Sequence, residues 1–188
     1  AENLRDNLHT EKQTYYSEAI LSSVQYMNGI IESVLSLSKS ENGNVVLKKE
    51  MLEMGDSLRK LLAVREEWLM ESGLTVEIKG ECELTVDKVL WEQVCSNLLD
   101  NAIKYASKNS VIRVMIEKEQ ISFWNDCDED MGAMADTLCD PFVVGDASRG
   151  SKKGSGLGLT IAKNICQLHG FELELVCEEK SFEVKISV

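Results

Sequence analysis

Two short stretches hold the residues whose types and spacing could do chemistry. In QVCSNLLDNAIKYA, Gln93 to Ala106, the residues Asn97, Asp100, Asn101 and Lys104, with Lys108 just beyond, recur at i, i+3, i+4, i+7 and i+11. On a helix they share one stripe, while Val94, Leu98, Ala102 and Ile103 line another side. Asparagine competes with the helix for local hydrogen bonds, so two of them one turn apart ask for a reason. By spacing alone a solvated polar face satisfies the pattern. The second stretch, Gly154-Ser-Gly-Leu-Gly-Leu159, opens the last helical pattern. Glycines there can take positive φ and let an anion approach the amides of a helix N-terminus, the chemistry of a phosphate site. A turn that only joins two elements uses the same residues. No Gly-Lys-Ser/Thr follows at P-loop spacing, and no βαβ unit precedes it.

The elements that must position these residues are legible in outline. From about Glu11 to Lys39, Ile20, Val24, Met27, Ile31 and Val34 repeat in steps of four and three, the seam of a coiled coil or bundle. Ser40-Glu-Asn-Gly43 stops that helix, and Val45 and Leu47 alternate as a short strand. Asp56 or Ser57 can cap a second helix, with Leu58, Leu61, Leu62, Arg65 and Leu69 on its stripe and Ser72-Gly73 at its end. Strands follow at Leu74 to Ile78 and at Leu84 to Val86, and Asp87 can cap the asparagine helix. Val111 to Ile116 and Ile121 to Trp124 alternate as adjacent strands. A polar segment without period runs from Asn125 to Lys153, and a loop of that length is usually functional. A helix from about Ser155 to His169 and strands at Phe171 to Val176 and Phe182 to Val188 complete the chain. The expected fold is α+β, a two-layer α/β sandwich with helices on one face of a mixed sheet, preceded by a long amphipathic helix.

Composition removes several functions. A formal charge of −12 opposes a broad nucleic-acid surface, so any polyphosphate must be held locally. No apolar run is long enough to span a bilayer, and Ala1 onward does not read as a signal peptide. The six cysteines are widely separated with no C-x-x-C, which suits reduced, structural thiols in a cytoplasmic compartment. Two histidines exclude a histidine-rich metal site.

Taken in order, Asn97-Leu-Leu-Asp-Asn101-Ala-Ile-Lys104-Tyr105, Asp140-Pro-Phe142 and Gly154-Ser-Gly-Leu-Gly-Leu-Thr-Ile-Ala162 resemble the N, F and second glycine boxes of the ATP-binding domain of bacterial sensor histidine kinases. That group shares the Bergerat nucleotide-binding fold with gyrase-, HSP90- and MutL-type ATPases. The likeness extends to Leu35-Ser-Leu-Ser-Lys-Ser-Glu-Asn-Gly43, similar to the second helix of a dimerisation hairpin, and to Leu168-His-Gly170 at the end of the last helix. It implies a partial hairpin over residues 1–42 and a catalytic ATP-binding domain over 43–188, with a lid at about 126–153. It further implies ATP and Mg²⁺ as cofactors. Asn97 and Asn101 would serve metal and phosphates, since an amide oxygen is a hard, neutral ligand suited to Mg²⁺. Lys104 would bring positive charge and Tyr105 would flank the base or ribose. Gly154, Gly156, Leu157 and Gly158 would hold the end of the lid and the phosphates, with Arg149, Lys152 and Lys153 as mobile cations.

The sequence departs from that pattern twice. The first glycine box is normally D-x-G-x-G after a strand, its aspartate accepting from the adenine amino group. Alternation from Ile121 puts Asn125 at the aspartate, with Cys127 and Glu129 where glycines belong. An asparagine amide can both accept and donate, so adenine recognition could survive with weakened affinity. Second, neither His9 nor His169 lies in the H-E/D-x-R/K-T/N-P context of a phosphoacceptor. The expected activity is transfer of the γ-phosphoryl of Mg-ATP to a histidine outside this fragment and onward to a response regulator, so that the fragment alone would not autophosphorylate. The alternative is a degenerate nucleotide-sensing pseudokinase or interaction module. The resemblance also implies homodimerisation through the hairpin, no nucleic-acid partner, and a bacterial cell-membrane sensor as parent, reaching the membrane only through segments missing here.

Overall fold

The computed structural model describes residues 46–128, 138–139, 156–178 and 180–188. The long amphipathic helix, the hairpin likeness, His9, most of the expected lid and the Asp140-Pro-Phe142 motif lie outside them.

The described elements are β1 (Lys49–Glu53), α1 (Met54–Ala63), α2 (Glu66–Ser72), β2 (Thr75–Lys79), β3 (Glu83–Asp87), α3 (Lys88–Tyr105), β4 (Val111–Ile116), β5 (Gln120–Asp126), α4 (Gly158–His169), β6 (Glu172–Glu178) and β7 (Ser181–Ser187). Five strands form one mixed sheet in the order β2-β4-β5-β7-β6, with β2 parallel to β4 and the other neighbours antiparallel. The pair β1 and β3 forms a separate antiparallel ribbon. Period-two alternation assigns the faces: Ile112, Val114, Ile116, Ile121, Phe123, Phe182, Val184 and Ile186 are buried, whereas Arg113 and Met115 point to solvent. This is the expected α/β sandwich.

The asparagine helix α3 is fixed at its start by Asp87. Its Oδ1 accepts from the Leu90 amide at 3.4 Å and its Oδ2 from the Lys48 amide at 3.0 Å. The same face buries Trp91, Val94, Cys95, Leu98, Leu99, Ala102 and Ile103. Trp91 is fully buried, donates from its indole nitrogen to Met54 Sδ at 2.9 Å, and meets Phe171 and His169 edge-on at ring-centroid distances of 5.5 and 6.0 Å. Beside this start of α3, Gly170 ends α4 at φ +84°, where glycine carries no Cβ penalty.

Four local expectations are corrected. The first described strand begins at Lys49, beyond Leu47, while Val45 lies outside the described residues. The cap of the next helix is Glu53, whose carboxylate accepts from the Gly55 and Asp56 amides at 3.0 and 2.5 Å; a reach from the preceding strand displaces Asp56 and Ser57 from that role. The single helix expected between them and Gly73 breaks at Val64 and Arg65 into α1 and α2. Finally, α4 starts at Gly158 and β5 runs on to Asp126, so the last helix is shorter than Ser155 to His169 and the expected lid boundary falls on a strand.

No disulfide links the six cysteines. Burial raises the thiol pKa of both Cys95 and Cys166, that of Cys166 from 9.0 to about 12. A group whose folded pKa is raised keeps its proton in the native state while the unfolded chain loses it, so stability falls as pH rises from about 9 toward 12. Urea midpoints measured between those pH values should therefore drop more steeply for the parent chain than for Cys166→Ala; equal slopes would refute this. Trp91→Ala should cost ~3–5 kcal/mol in the same unfolding assay, the usual cost of emptying a buried aromatic site.

Candidate functional site

The helices α3 and α4 lie antiparallel, because the end of α4 meets the start of α3 while the start of α4 meets the second half of α3. At the first contact, the Asp87 amide donates to His169 Nε2 at 3.0 Å, and His169 Nδ1 sits 2.8 Å from the Ile165 carbonyl, to which it donates. Both ring nitrogens of His169 are engaged and the side chain is buried against Phe171 and Trp91. It is a structural histidine, as expected from its place before Gly170.

At the second contact, Gly158 faces the asparagine stripe. A Cβ built there would stand 3.6 Å from Asn101 Nδ2, 3.9 Å from Asn101 Oδ1 and 3.8 Å from Asn97 Cβ. Glycine thus leaves a hollow between the two amides and the first turn of α4. Helix geometry gives the first-turn amides no intrahelical acceptor, and Leu157, the capping residue, supplies no side-chain bond. Gly156 at φ +68° turns the chain into this position. Leu157 is buried, anchoring the turn. Most telling is Asn97: its Nδ2 is buried and has no hydrogen-bond partner among the described residues. A buried donor without an acceptor is costly, and it is what a site for an anionic oxygen looks like before the ligand arrives. An uncapped helix start, an empty hollow and an orphan donor fit a phosphate chain with amide oxygens beside it.

Two turns along, Lys104 Nζ bonds Tyr105 Oη at 3.1 Å and lies 4.8 Å from the centre of its ring. This end of α3 is tied to the end of β5. The Ser107 amide donates to the Asp126 carbonyl at 2.9 Å, and Ala106 bridges Cys127. Asn125 lies in β5 on the helix-facing side, only 1% exposed, with Nδ2 donating to the Asp126 carbonyl at 3.0 Å. One of its two amide N–H groups is in local use, which leaves its carbonyl and the other N–H for a ligand. Cys127, at the position of an expected glycine, is buried, and its amide bonds the Lys180 carbonyl at 2.9 Å. Thus Asn97 and Asn101 face Gly158 at one end of a ridge along α3, and Lys104 and Tyr105 stand at the other, where backbone bonds tie the helix end to the end of β5 that carries Asn125. The residues from Asn97 to Tyr105 span about 12 Å of helix at 1.5 Å per residue. Arg149, Lys152, Lys153 and Gly154 lie outside the described residues.

Three features escaped the reading of the sequence. Asp100, placed on the asparagine stripe by spacing, is paired with Arg65 at 2.6 Å. Arg65, read as part of an apolar stripe, turns inward; a lone charge at apolar spacing was the available signal. Thr160 Oγ1 donates to the Cys139 carbonyl at 2.9 Å, holding the start of α4 to the middle of the long polar segment. A shallow concavity lined by Trp124, Asp126, Glu178, Lys180 and Ser181 lies on the solvent face of the sheet, across from Asn125, with Arg113 stacked on Trp124 at 4.4 Å.

Comparison with known proteins gives the family and the fold. The sensor protein CzcS of Cupriavidus metallidurans is 29% identical over 164 residues, covering 85% of this chain and 34% of CzcS. The chain thus spans about a third of that relative. The solved histidine kinase AdeS of Acinetobacter baumannii superposes with a TM-score of 0.65 at 23% identity, over 90% of this chain and 82% of AdeS. Full-length ShkA in complex with AMPPNP gives a TM-score of 0.67 at 16% identity, over 85% of this chain and 36% of ShkA. No helix among the described residues is long and apolar enough to cross a membrane. Residues 86–188, which include both helices of the ridge, match the family of histidine kinase-, DNA gyrase B- and HSP90-like ATPases, and the chain belongs to that ATP-binding family.

Proposed function

We propose that this chain is the ATP-binding catalytic portion of a two-component sensor histidine kinase. It would present Mg-ATP for transfer of the γ-phosphoryl group to a histidine outside this chain, from which a response regulator would receive it. The observation that carries the reading is the buried, unpartnered Nδ2 of Asn97 beside the uncapped start of α4.

The protein groups divide the work along the ridge. The first-turn amides of α4 and the Asn97 and Asn101 donors would take phosphate oxygens, replacing water with fixed dipoles. The amide oxygens of the two asparagines would hold Mg²⁺, which when bound supplies neutralisation of phosphate charge. Tyr105, with Lys104 laid against it, would wall the base or ribose, and the Asn125 carbonyl would accept from the adenine amino group. Arg149, Lys152, Lys153 and Gly154 complete the proposed set from the segment between Asp128 and Gly156. In the whole sensor protein, dimerisation through the helical hairpin and a cell-membrane location are part of the same reading, as is a hairpin over residues 1–42.

The alternative of a nucleotide-sensing module without phosphotransfer draws on one observation. Cys127 is locked by backbone bonds on two sides where a flexible glycine was expected, which alters the adenine end. Isothermal titration should give saturable Mg-ATP binding in the high-micromolar to millimolar range, weakened about tenfold or more by Asn101→Ala and by withholding Mg²⁺. Absence of binding, or an unchanged affinity in Asn101→Ala, would overturn the assignment. Acid-labile labelling of this chain by γ-labelled ATP is not expected; its appearance would identify His9 or His169 as an acceptor.

A further inference from the structure

We infer that Arg65 is a positioning residue for the nucleotide, holding the turn of α3 that carries Asn97 and Asn101. The inference rests on the site proposed above.

Arg65 sits at the break between α1 and α2, and its side chain is only 11% exposed. All three guanidinium nitrogens are bonded: Nη1 to the Leu61 carbonyl at 2.6 Å, Nε to Asp100 Oδ1 at 2.6 Å, and Nη2 to Ser96 Oγ at 2.5 Å. Ser96 and Asp100 are one turn apart, and each immediately precedes a site asparagine. Arg65 therefore grips one side of the turn whose neighbouring side, rotated by about 100°, presents Asn97 and Asn101. A planar fork bonded to both residues of that turn resists rotation of the helix about its axis, which a single bond would not.

The grip also acts on charge. Asp100, with a side chain 47% exposed, stands between the two asparagines in sequence and would oppose a bound polyphosphate. Pairing with Arg65 offsets that charge at the place where an otherwise acidic chain must accept an anion. The break at Val64 and Arg65 has a function in these terms, since a continuous helix through Arg65 would carry the guanidinium elsewhere. The helix α2 beyond it contributes no fully buried residue, and its Trp68 and Leu69 pack partly buried against the cluster holding Ala102 and Ile103, so Arg65 adds the polar hold of this corner on α3.

The test uses the 188-residue chain with Arg65→Gln, Arg65→Lys and Asp100→Asn, the last a milder change should the arginine variants fold poorly. Two quantities are read: affinity for Mg-ADP, and the side-chain amide NMR signals of Asn97 and Asn101 without nucleotide. Arg65→Gln should weaken Mg-ADP about tenfold, the scale of losing one ordering charge-assisted hydrogen bond. Arg65→Lys, which keeps charge but not the fork, should restore only part of that affinity. Both amide signals should move in Arg65→Gln and Asp100→Asn while the core methyl spectrum stays native. Unmoved amide signals in Arg65→Gln, or parent-like affinity in folded Arg65→Gln, would overturn the inference. If the parent chain binds no nucleotide, the proposed site fails, and the amide signals alone then decide whether Arg65 positions the asparagines.

Discussion

The antiparallel contact of α3 with α4 is the constraint on which the rest depends. It joins a helix with amide side chains to a helix whose first turn is bare. The bond from the Asp87 amide to His169 pins one end, and the hollow at Gly158 opposite Asn97 and Asn101 lies at the other. Between them Cys95, Cys166, Leu98 and Ala162 belong to one buried cluster, whose packing sets the spacing of the two helices. The sheet supplies a floor for both helices. Through the bond from Ser107 to Asp126 it also brings Asn125 to the far end of the same ridge.

This arrangement explains why polar groups are tolerated where they stand. An orphan donor on Asn97 lowers stability, and the surrounding core keeps it in place, as expected where a site is organised ahead of its ligand. His169 shows the opposite use of a polar side chain, with both nitrogens bonded to backbone and the ring stacked in the core. Of two residues that each offered chemistry in the sequence, His169 belongs to the scaffold and Asn97 remains a candidate for the site.

Much of the fold was legible because its signals are local. Asp87 before an apolar helical period, Gly170 after the last periodic residue and strict alternation from Val111 to Ile116 each follow from the residue and its immediate neighbours. The asparagine and glycine stretches were legible as a pair, although neither was decisive alone. What was not legible depends on reach across the chain. Glu53 caps α1 from the strand before it, β5 extends through Asn125 by pairing with Phe182, and Arg65 finds Ser96 and Asp100 more than 30 positions away. Spacing cannot report such partners. It grouped Asp100 with the asparagines, and only the tertiary pairing removes it from their set.

The most direct test of the central claim is an amide NMR titration of the chain with Mg-ADP. Saturable shifts should concentrate on the backbone amides of Leu159 and Thr160, the side-chain amides of Asn97 and Asn101, and the Asn125 region. The Trp124 indole and Lys185, on the other side of the sheet, should stay unmoved. Saturable shifts centred on Trp124 and Lys185, with the first turn of α4 unchanged, would contradict the account.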